Sequence, residues 1–199
     1  AGMLVEGFDE PGTLATIYNY DYYPRQLEAL GYEKDVDWVE YEISVPSTPD
    51  PKIAKLAEIV LRRENLKLIE FKNRKEILPY APQIFALVNE GYRNLYGYVP
   101  LNDEQVALYT EQYFGFIKPE FVPVVLNAEG EMVAFGITMP SLTRAMQKAN
   151  GRLFPFGFIH VLRALNKNDR ADLYLITVKP EYQGKGVNAI LINQVSNVF

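Results

Sequence analysis

Hydrophobic residues repeat with two different periods along the chain, and the changes of period mark the predicted elements. Apolar residues three or four positions apart predict helices after Asp50, from Pro79 and after Asn102. Short apolar or alternating runs predict strands at residues 66–71, 121–126, 131–139 and 173–178. A final apolar stripe at helical spacing covers residues 187–198.

Cap and turn residues divide these runs at defined points. Asp50 followed by Pro51 is typical of a helix N-cap and first helical residue. Asn102 with Gln105 three positions later predicts a capping box. The segment "NAEG", residues 127–130, predicts a hairpin between two strands.

Further helices, strands and a linker are predicted after Pro140 and near the start of the chain. "SLTRAMQKANG" predicts a helix capped by Ser141 and ended by Gly151, and "FIHVLRALNK" predicts a second one. Near the start, "GMLVEGF" and "DVDWVEYEISV" predict strands on either side of a short helix that Gly31 closes. "SVPSTPDPK" carries three prolines and predicts a linker.

The composition argues against several classes of protein function. The 199 residues are 48% hydrophobic and 23% charged, as in an ordinary globular protein. A net charge of −5 argues against a nucleic-acid partner. Cysteine is absent, which excludes disulfides and thiolate chemistry. No apolar run approaches the roughly 20 residues that span a bilayer, so we expect a cytoplasmic protein with no membrane partner.

The segment "QGKGVNA", residues 183–189, places two glycines between a predicted strand and a predicted helix. Unpaired amide groups and a partial positive charge at a helix N-terminus attract phosphate, and glycines let the backbone approach it. The dinucleotide pattern GxGxxG and a terminal Gly-Lys-Ser/Thr are both missing. The two alternatives are a pyrophosphate loop and a purely structural turn.

The longer segment "LITVKPEYQGKGVNAIL" resembles motif A of the GNAT superfamily of N-acetyltransferases. Gln183, Gly184, Lys185 and Gly186 match the family's Gln/Arg-x-x-Gly-x-Gly/Ala loop, whereas Asn188 stands where the family usually has Gly or Ala. The resemblance covers the element order from Leu66 onward, with an insertion before the last strand. It implies an α+β fold with a GNAT-like, mostly antiparallel mixed sheet flanked by helices.

The resemblance also implies ligands and chemistry. Backbone groups around Ile176 and Val178 would pair with the pantetheine arm of acetyl-CoA. The loop would hold the pyrophosphate. Its expected contact residues are Gln183, Gly184, Lys185, Gly186, Val187, Asn188 and Ala189. An amine would then attack the thioester directly, with a general base and a general acid moving the protons.

The sequence does not identify that base or acid. Candidates are Glu90 in a helix, Asp172 before the last strand, and Tyr23. The first 45 residues resemble the family's C-terminal half. However, Leu27 occupies the position where the family has the tyrosine that acts as general acid. His160, the single histidine, is expected on a helix surface or in the core. No ligand spacing for a metal is present.

We therefore predict the C-terminal half of a GNAT-like unit at residues 1–45, a linker at 46–52, and the start of a GNAT-like domain at 53–199 with an insertion at 140–170. Such a chain is expected to be a fragment of a tandem protein. The alternative is that the N-terminal segment pairs beside the last strand in permuted order. In either case a partner strand, from this chain, by strand exchange or from a homodimer, is expected to complete the sheet.

Three functions remain open at this level. The first is an acyl-CoA-dependent N-acyltransferase acting on an unknown amine of a small molecule or a protein. The second is a non-catalytic GNAT-like CoA-binding or scaffold module, which Leu27 and Asn188 favour. The third is an aminoacyl transferase of the tandem-GNAT type, which the net negative charge disfavours.

Overall fold

The computed structural model describes residues 2–13, 16–46, 48, 50–115 and 117–198. The chain divides into two compact units. We call the first the insertion unit, which comprises Ala1–Ser44 and Pro140–Asp172. The second is the loop unit, which comprises Val45–Met139 and Leu173–Phe199. Ser47 and Pro49 of the predicted linker lie outside the described residues.

Four strands form one sheet in the order β1-β2-β3-β4. They are β1 (Lys67–Ile69), β2 (Val124–Leu126), β3 (Met132–Pro140) and β4 (Ala171–Val178). β1 pairs antiparallel with β2, and β2 pairs antiparallel with β3. The Lys179 amide donates to the Val133 carbonyl at 2.8 Å, and the Ser141 amide donates to the Arg170 carbonyl at 2.9 Å, so β4 also runs antiparallel to β3.

The helices of the loop unit cover both faces of the sheet. They are α2 (Pro51–Arg63), α3 (Arg74–Ile77), α4 (Ala81–Gly91), α5 (Asp103–Phe114) and α8 (Val187–Ser196). One core joins side chains of α4 and α5 to Val124 and Phe135 of the sheet. A second core joins α2 and α8 to Val125 and Val133. Alternate residues of the strands therefore face different helix layers.

Local signals explain several element boundaries. The Asp50 carboxylate accepts the Lys52 amide at 2.8 Å and opens α2. Asn102 and Gln105 form the predicted capping box at the start of α5. The turn at 127–130 connects β2 to β3, and Gly130 has φ +82°. The α+β architecture with an antiparallel sheet flanked by helices is confirmed, and its element order from β1 to α8 is the one that the GNAT resemblance implies.

The described residues of the insertion unit form three helices, which are α1 (Tyr22–Ala29), α6 (Thr143–Lys148) and α7 (Gly157–Asn166). Thr143 Oγ1 donates to the Gly12 carbonyl at 2.9 Å, and Arg170 pairs with Glu42 at 3.1 Å. These contacts hold the first residues of the chain against the connection between β3 and β4. This grouping of residues 1–44 with 140–172 was not predicted from the sequence.

Two segments differ from the sequence-based expectation. The described residues before Lys67 form no strand, so the strands expected from "GMLVEGF" and "DVDWVEYEISV" are absent, and none pairs beside β4. A hydrophobic pattern typical of a strand does not provide the neighbouring strand with which it must pair. Without that partner, the backbone groups of an isolated strand stay unpaired and the strand is not stable. Helix α6 begins after Leu142 without a side-chain cap, so Ser141 is not its N-cap. The division at residues 1–45, 46–52 and 53–199 and the partner strand beyond β4 stay predictions.

Candidate functional site

The candidate site is the turn that connects β4 to α8 in the loop unit. After β4 ends at Val178, a 3₁₀ turn at Pro180–Tyr182 redirects the chain. Gly184 and Gly186 follow with φ +72° and +85°. Residues with a side chain rarely adopt this left-handed conformation, so glycine is strongly favoured at both positions. Gly186 is the N-cap of α8, and the turn therefore delivers the chain directly into the helix.

The amide groups of this turn remain available to a ligand. None of the amides from Gly184 to Asn188 donates to a backbone carbonyl of another described residue. Gly184, Lys185 and Asn188 are exposed, whereas Val187 and Ala189 are buried in the core. A row of unpaired amides at an exposed helix N-terminus favours an anion. Val187 can contribute its backbone amide to such a site, whereas the Ala189 amide already donates to the Gly186 carbonyl at 3.0 Å. The side chains of both residues pack inward.

Helix α2 braces the turn through its last residues. Arg63 Nη2 donates to the Lys185 carbonyl at 2.7 Å. Lys185 Nζ lies 3.3 Å from Glu64 Oε2 and 4.9 Å from the centre of the Tyr182 ring. These contacts orient the Lys185 carbonyl toward α2. The Lys185 ammonium is thus partly engaged within the protein.

Two ion pairs beside the turn keep their carboxylates charged. Hydrogen bonding from Arg63, with a smaller contribution from Lys185, lowers the pKa of the Glu64 carboxyl. The Lys179–Glu181 pair, 2.9 Å apart, likewise lowers the pKa of the Glu181 carboxyl. The hydrogen bond to Glu181 raises the pKa of Lys179. Glu181 is therefore an ion-pair partner on the surface of the turn.

The backbone of β4 nearest the turn is already paired with side chains. The Tyr92 hydroxyl donates to the Ile176 carbonyl at 2.9 Å and accepts from the Ile176 amide at 3.2 Å. Gln183 Nε2 donates to the Val178 carbonyl at 3.0 Å. Burial raises the pKa of the Tyr92 phenol, so it is protonated at neutral pH. The groups expected to pair with pantetheine are thus occupied by this chain's own residues.

Close contact between α4 and β4 places Tyr92 there. A Cβ added at Gly91 would collide with Thr177 Oγ1, so a larger residue would force the Thr177 side chain to move from its position against the end of α4. Tyr92 follows immediately and reaches Ile176. Its ring packs edge-on to Tyr98 at 5.7 Å, and the Tyr98 hydroxyl donates to Asn89 at 2.6 Å. The phenol is therefore held in place from the ring side as well.

The candidate acid–base residues are divided between the two units. Glu90 is half-buried near the end of α4, and its charge contributes to raising the pKa of Lys179 close to the turn. Asp172, at the start of β4, belongs to the insertion unit, as does Tyr23 in α1. Tyr23 stacks on Tyr22 at 4.8 Å and is exposed. Of the three candidates, only Glu90 is in the same unit as the turn.

Two further expectations concern His160 and metals. His160 is exposed on α7, which agrees with the helix-surface alternative. Within the described ranges, no group of three or more His, Cys, Asp or Glu side chains has the arrangement of a metal site.

Three residues of the site were not singled out from the sequence. Arg63 and Glu64 end α2 more than a hundred positions before the turn, and no local pattern connects them to it. Tyr92 was counted only as part of the apolar stripe of a helix. The adjacent Gly91 is the one available signal, because a glycine at the end of an apolar helix often permits a close approach.

Comparisons with known proteins give limited likenesses. No family model matches the chain. Protein YghO of Escherichia coli (strain K12) is 26% identical over 194 residues, covering 96% of this chain and 49% of that protein. The chain thus spans about half the length of the curated relative it matches.

A solved structure of histone acetyltransferase HPA2 and related acetyltransferase from Corynebacterium glutamicum aligns with 64% of this chain and 68% of that one. The TM-score is 0.38 and the identity is 19%. No helix in the described part of the chain is long and apolar enough to cross a bilayer.

Proposed function

We propose that the chain is an acyl-CoA-dependent N-acyltransferase unit of the GNAT type. The observation that carries this proposal is the glycine turn between β4 and α8. It presents unpaired amides from Gly184 to Asn188 at the N-terminus of an exposed helix. A pyrophosphate can accept several such amide hydrogen bonds at once and is further stabilised by the helix dipole. The motif A resemblance and the element order around the antiparallel sheet support acyl-CoA as the ligand.

In this proposal the pantetheine arm extends from the turn along β4. Pairing of that arm with Ile176 requires the Tyr92 hydroxyl to leave the two groups it occupies. Pairing at Val178 requires Gln183 to leave the carbonyl. Tyr92 and the pantetheine arm therefore compete for the same backbone groups of Ile176. The apparent affinity for acyl-CoA is then reduced in proportion to the fraction of molecules in which Tyr92 has left these groups.

The proposed chemistry is direct acyl transfer. The amine nitrogen attacks the thioester carbonyl carbon, the carbon–sulfur bond breaks, and the thiolate takes up a proton while the amine loses one to a base. Glu90 is the candidate base, since it lies in the loop unit near Lys179. Asp172 and Tyr23 remain candidates of lower rank because they belong to the insertion unit. The acceptor is an amine of unassigned structure.

A CoA-binding module without activity is the second candidate. The observation in its favour is that Tyr92 and Gln183 already occupy the β4 backbone groups where the pantetheine arm would pair. In such a module the pyrophosphate would bind the turn while the thioester remained unpositioned. Binding would then occur without transfer.

Thermal unfolding with and without acetyl-CoA tests the proposal. A ligand at 100 times its Kd adds about 2.7 kcal/mol to the free energy of unfolding, which raises Tm measurably. We expect a shift with both CoA and acetyl-CoA at millimolar concentration. Absence of any shift with either compound contradicts the proposal.

Acyl transfer can be measured through the CoA thiol that it releases. The sequence contains no cysteine, so a thiol reagent reports only the CoA released from acetyl-CoA. We expect thiol release that depends on an added amine from a screen of small amines and peptides. Binding without amine-dependent release across the screen favours the CoA-binding module.

A further inference from the structure

The connection between β3 and β4 has an unusual charge distribution. Residues 141–168 contain no aspartate or glutamate, whereas the whole chain carries a net charge of −5. The same residues contain five cations, which are Arg144, Lys148, Arg152, Arg163 and Lys167. We call residues 141–168 the basic segment. The basic segment is therefore positively charged, although the chain as a whole has a negative net charge.

Large apolar side chains of the basic segment face solvent. Phe154 is 80% exposed and Phe156 is 71% exposed, both in the connection before α7. Phe158, Ile159 and Leu162 are also exposed. Since positions three or four apart share a helix face, these three form an apolar stripe on α7. The Phe154 and Phe158 rings lie 6.2 Å apart, so the stripe and the connection form one apolar surface.

Most cations of the basic segment are not neutralised by the protein. Arg144 pairs with Asp169 at 3.5 Å. The other four, Lys148, Arg152, Arg163 and Lys167, form no ion pair with any carboxylate of the described residues. Their charge is therefore available to an anionic partner.

Cationic and aromatic groups also meet in a cavity of about 530 Å³. Lys148, Arg152 and His160 line it together with Phe154 and Phe156. A phosphodiester headgroup could accept hydrogen bonds from the cations while the phenyl rings contact the adjoining hydrocarbon. The cavity thus combines the two chemistries that an anionic lipid presents at a bilayer surface.

We propose that the basic segment docks on an anionic lipid bilayer, with Phe154 and Phe156 inserted at the headgroup level. An interfacial helix has an apolar face flanked by Lys and Arg. Helix α7 provides the apolar stripe and Arg163, and Lys167 follows directly at its C-cap. Long basic side chains can reach headgroup phosphates while their stems lie along apolar surface. This docking is peripheral and needs no membrane-spanning helix.

The apolar composition favours a bilayer over a nucleic acid. A single-stranded nucleic acid would stack its bases on flat rings beside the cations. Here the exposed surface includes the aliphatic residues Leu153, Ile159 and Leu162, which offer no stacking face but bury well among acyl chains. The bilayer therefore accounts for both the cations and the aliphatic residues.

Co-sedimentation of the full chain with lipid vesicles tests this proposal. We expect binding to phosphatidylcholine vesicles that contain 30% phosphatidylglycerol at 0.1 M salt, and weak binding to pure phosphatidylcholine vesicles. Since salt screens charge attraction, binding should fall at 0.5 M salt. No binding to the anionic vesicles at 0.1 M salt, or equal binding to both vesicle types, overturns the proposal.

Two double variants separate the contribution of the basic segment to vesicle binding from the effect of net charge. Arg152→Glu with Arg163→Glu should lower the partition coefficient on the order of 30-fold or more, because each cation near an anionic surface contributes about fivefold. Lys55→Glu with Lys72→Glu, two exposed lysines of the loop unit, makes the same change of net charge. If both pairs weaken binding equally, net charge alone is responsible and the docking surface is wrong.

Phe154→Ser with Phe156→Ser should weaken vesicle binding at least tenfold while Tm stays within a degree or two of the wild-type value, since both rings are exposed. Val99→Ser, at an exposed valine of the loop unit, is the control. Unchanged vesicle binding of the double variant overturns the proposal. A wild-type dimer that this variant converts to monomer, without vesicle binding by the wild type, identifies a second copy as the partner instead. The assay contains no acyl-CoA, so it fails or succeeds independently of the proposed transferase.

Discussion

In the loop unit the sheet is covered by helices on both faces, and Val124, Val125, Val133 and Phe135 are fully buried between them. In the insertion unit large apolar side chains such as Trp38, Tyr41 and Phe154 are mainly exposed. Both units have hydrophobic sequences. The difference shows that apolar content forms a core only where elements can face each other in layers.

The largest expected effect tests this difference in burial. Phe135→Ala should lower the free energy of unfolding by about 3–5 kcal/mol, because it removes a fully buried aromatic ring and leaves a cavity. Trp38 is 68% exposed, so Trp38→Ala should change it by less than about 0.5 kcal/mol. Chemical denaturation measures both. A cost at Trp38 comparable to that at Phe135 would mean that the insertion unit is covered in solution.

A second comparison uses two glycines with similar backbone angles. Gly186 has φ +85° and Gly31 has φ +88°. A Cβ at Gly186 would lie 3.2 Å from Val60 Cγ2, whereas a Cβ at Gly31 would meet nothing within 4 Å. Alanine at either position should cost about 1–2 kcal/mol of strain, with an additional cost from Val60 at Gly186.

The two glycine variants should also differ in the Tm shift that acetyl-CoA causes. We expect Gly186→Ala to remove the Tm shift caused by acetyl-CoA, because the turn can no longer hold its amides in place. Gly31→Ala should retain the shift of the wild type. A full acetyl-CoA shift in Gly186→Ala would show that the turn is not the phosphate site.

A third test concerns the hydroxyl that occupies the β4 backbone. Tyr92→Phe should destabilise the protein by about 1 kcal/mol, since the carbonyl and amide of Ile176 both lose their partner. The Ile176 amide should exchange faster with solvent, and acetyl-CoA should raise Tm more than in the wild type. Tyr98→Phe removes a nearby hydroxyl bonded to Asn89 and should leave Ile176 exchange unchanged. A smaller acetyl-CoA shift in Tyr92→Phe would contradict competition between Tyr92 and the pantetheine arm.

The smallest expected effect is electrostatic. The folded protein lowers the pKa of Glu64, so the unfolded chain binds this proton at higher pH. The associated stability is present above the unfolded pKa of about 4.3 and is lost as the pH falls toward the folded value. Glu64→Gln should therefore flatten the fall of Tm between about pH 5 and pH 3. An unchanged slope in Glu64→Gln would mean that Arg63 and Lys185 do not hold the Glu64 carboxylate charged.

Local signals in the sequence predicted local structure well. The Asp50 cap, the Asn102–Gln105 capping box and the glycine turn at 184–186 formed where the residues indicated. Each depends on contacts within a few positions of the chain, so neighbouring residues suffice to specify it. The predicted strands near the start failed because strand formation requires a distant partner that the pattern does not identify.

The sequence by itself determined the order of helices and strands in the loop unit and the glycine turn that presents amides before α8. Only the tertiary structure decided that Arg63 and Glu64 brace this turn, that Tyr92 occupies the backbone of Ile176, and that the basic segment leaves its phenylalanines exposed. Propensities and caps act over a few residues. Bracing, competition and exposure depend on which distant surfaces meet, and only folding brings those surfaces together.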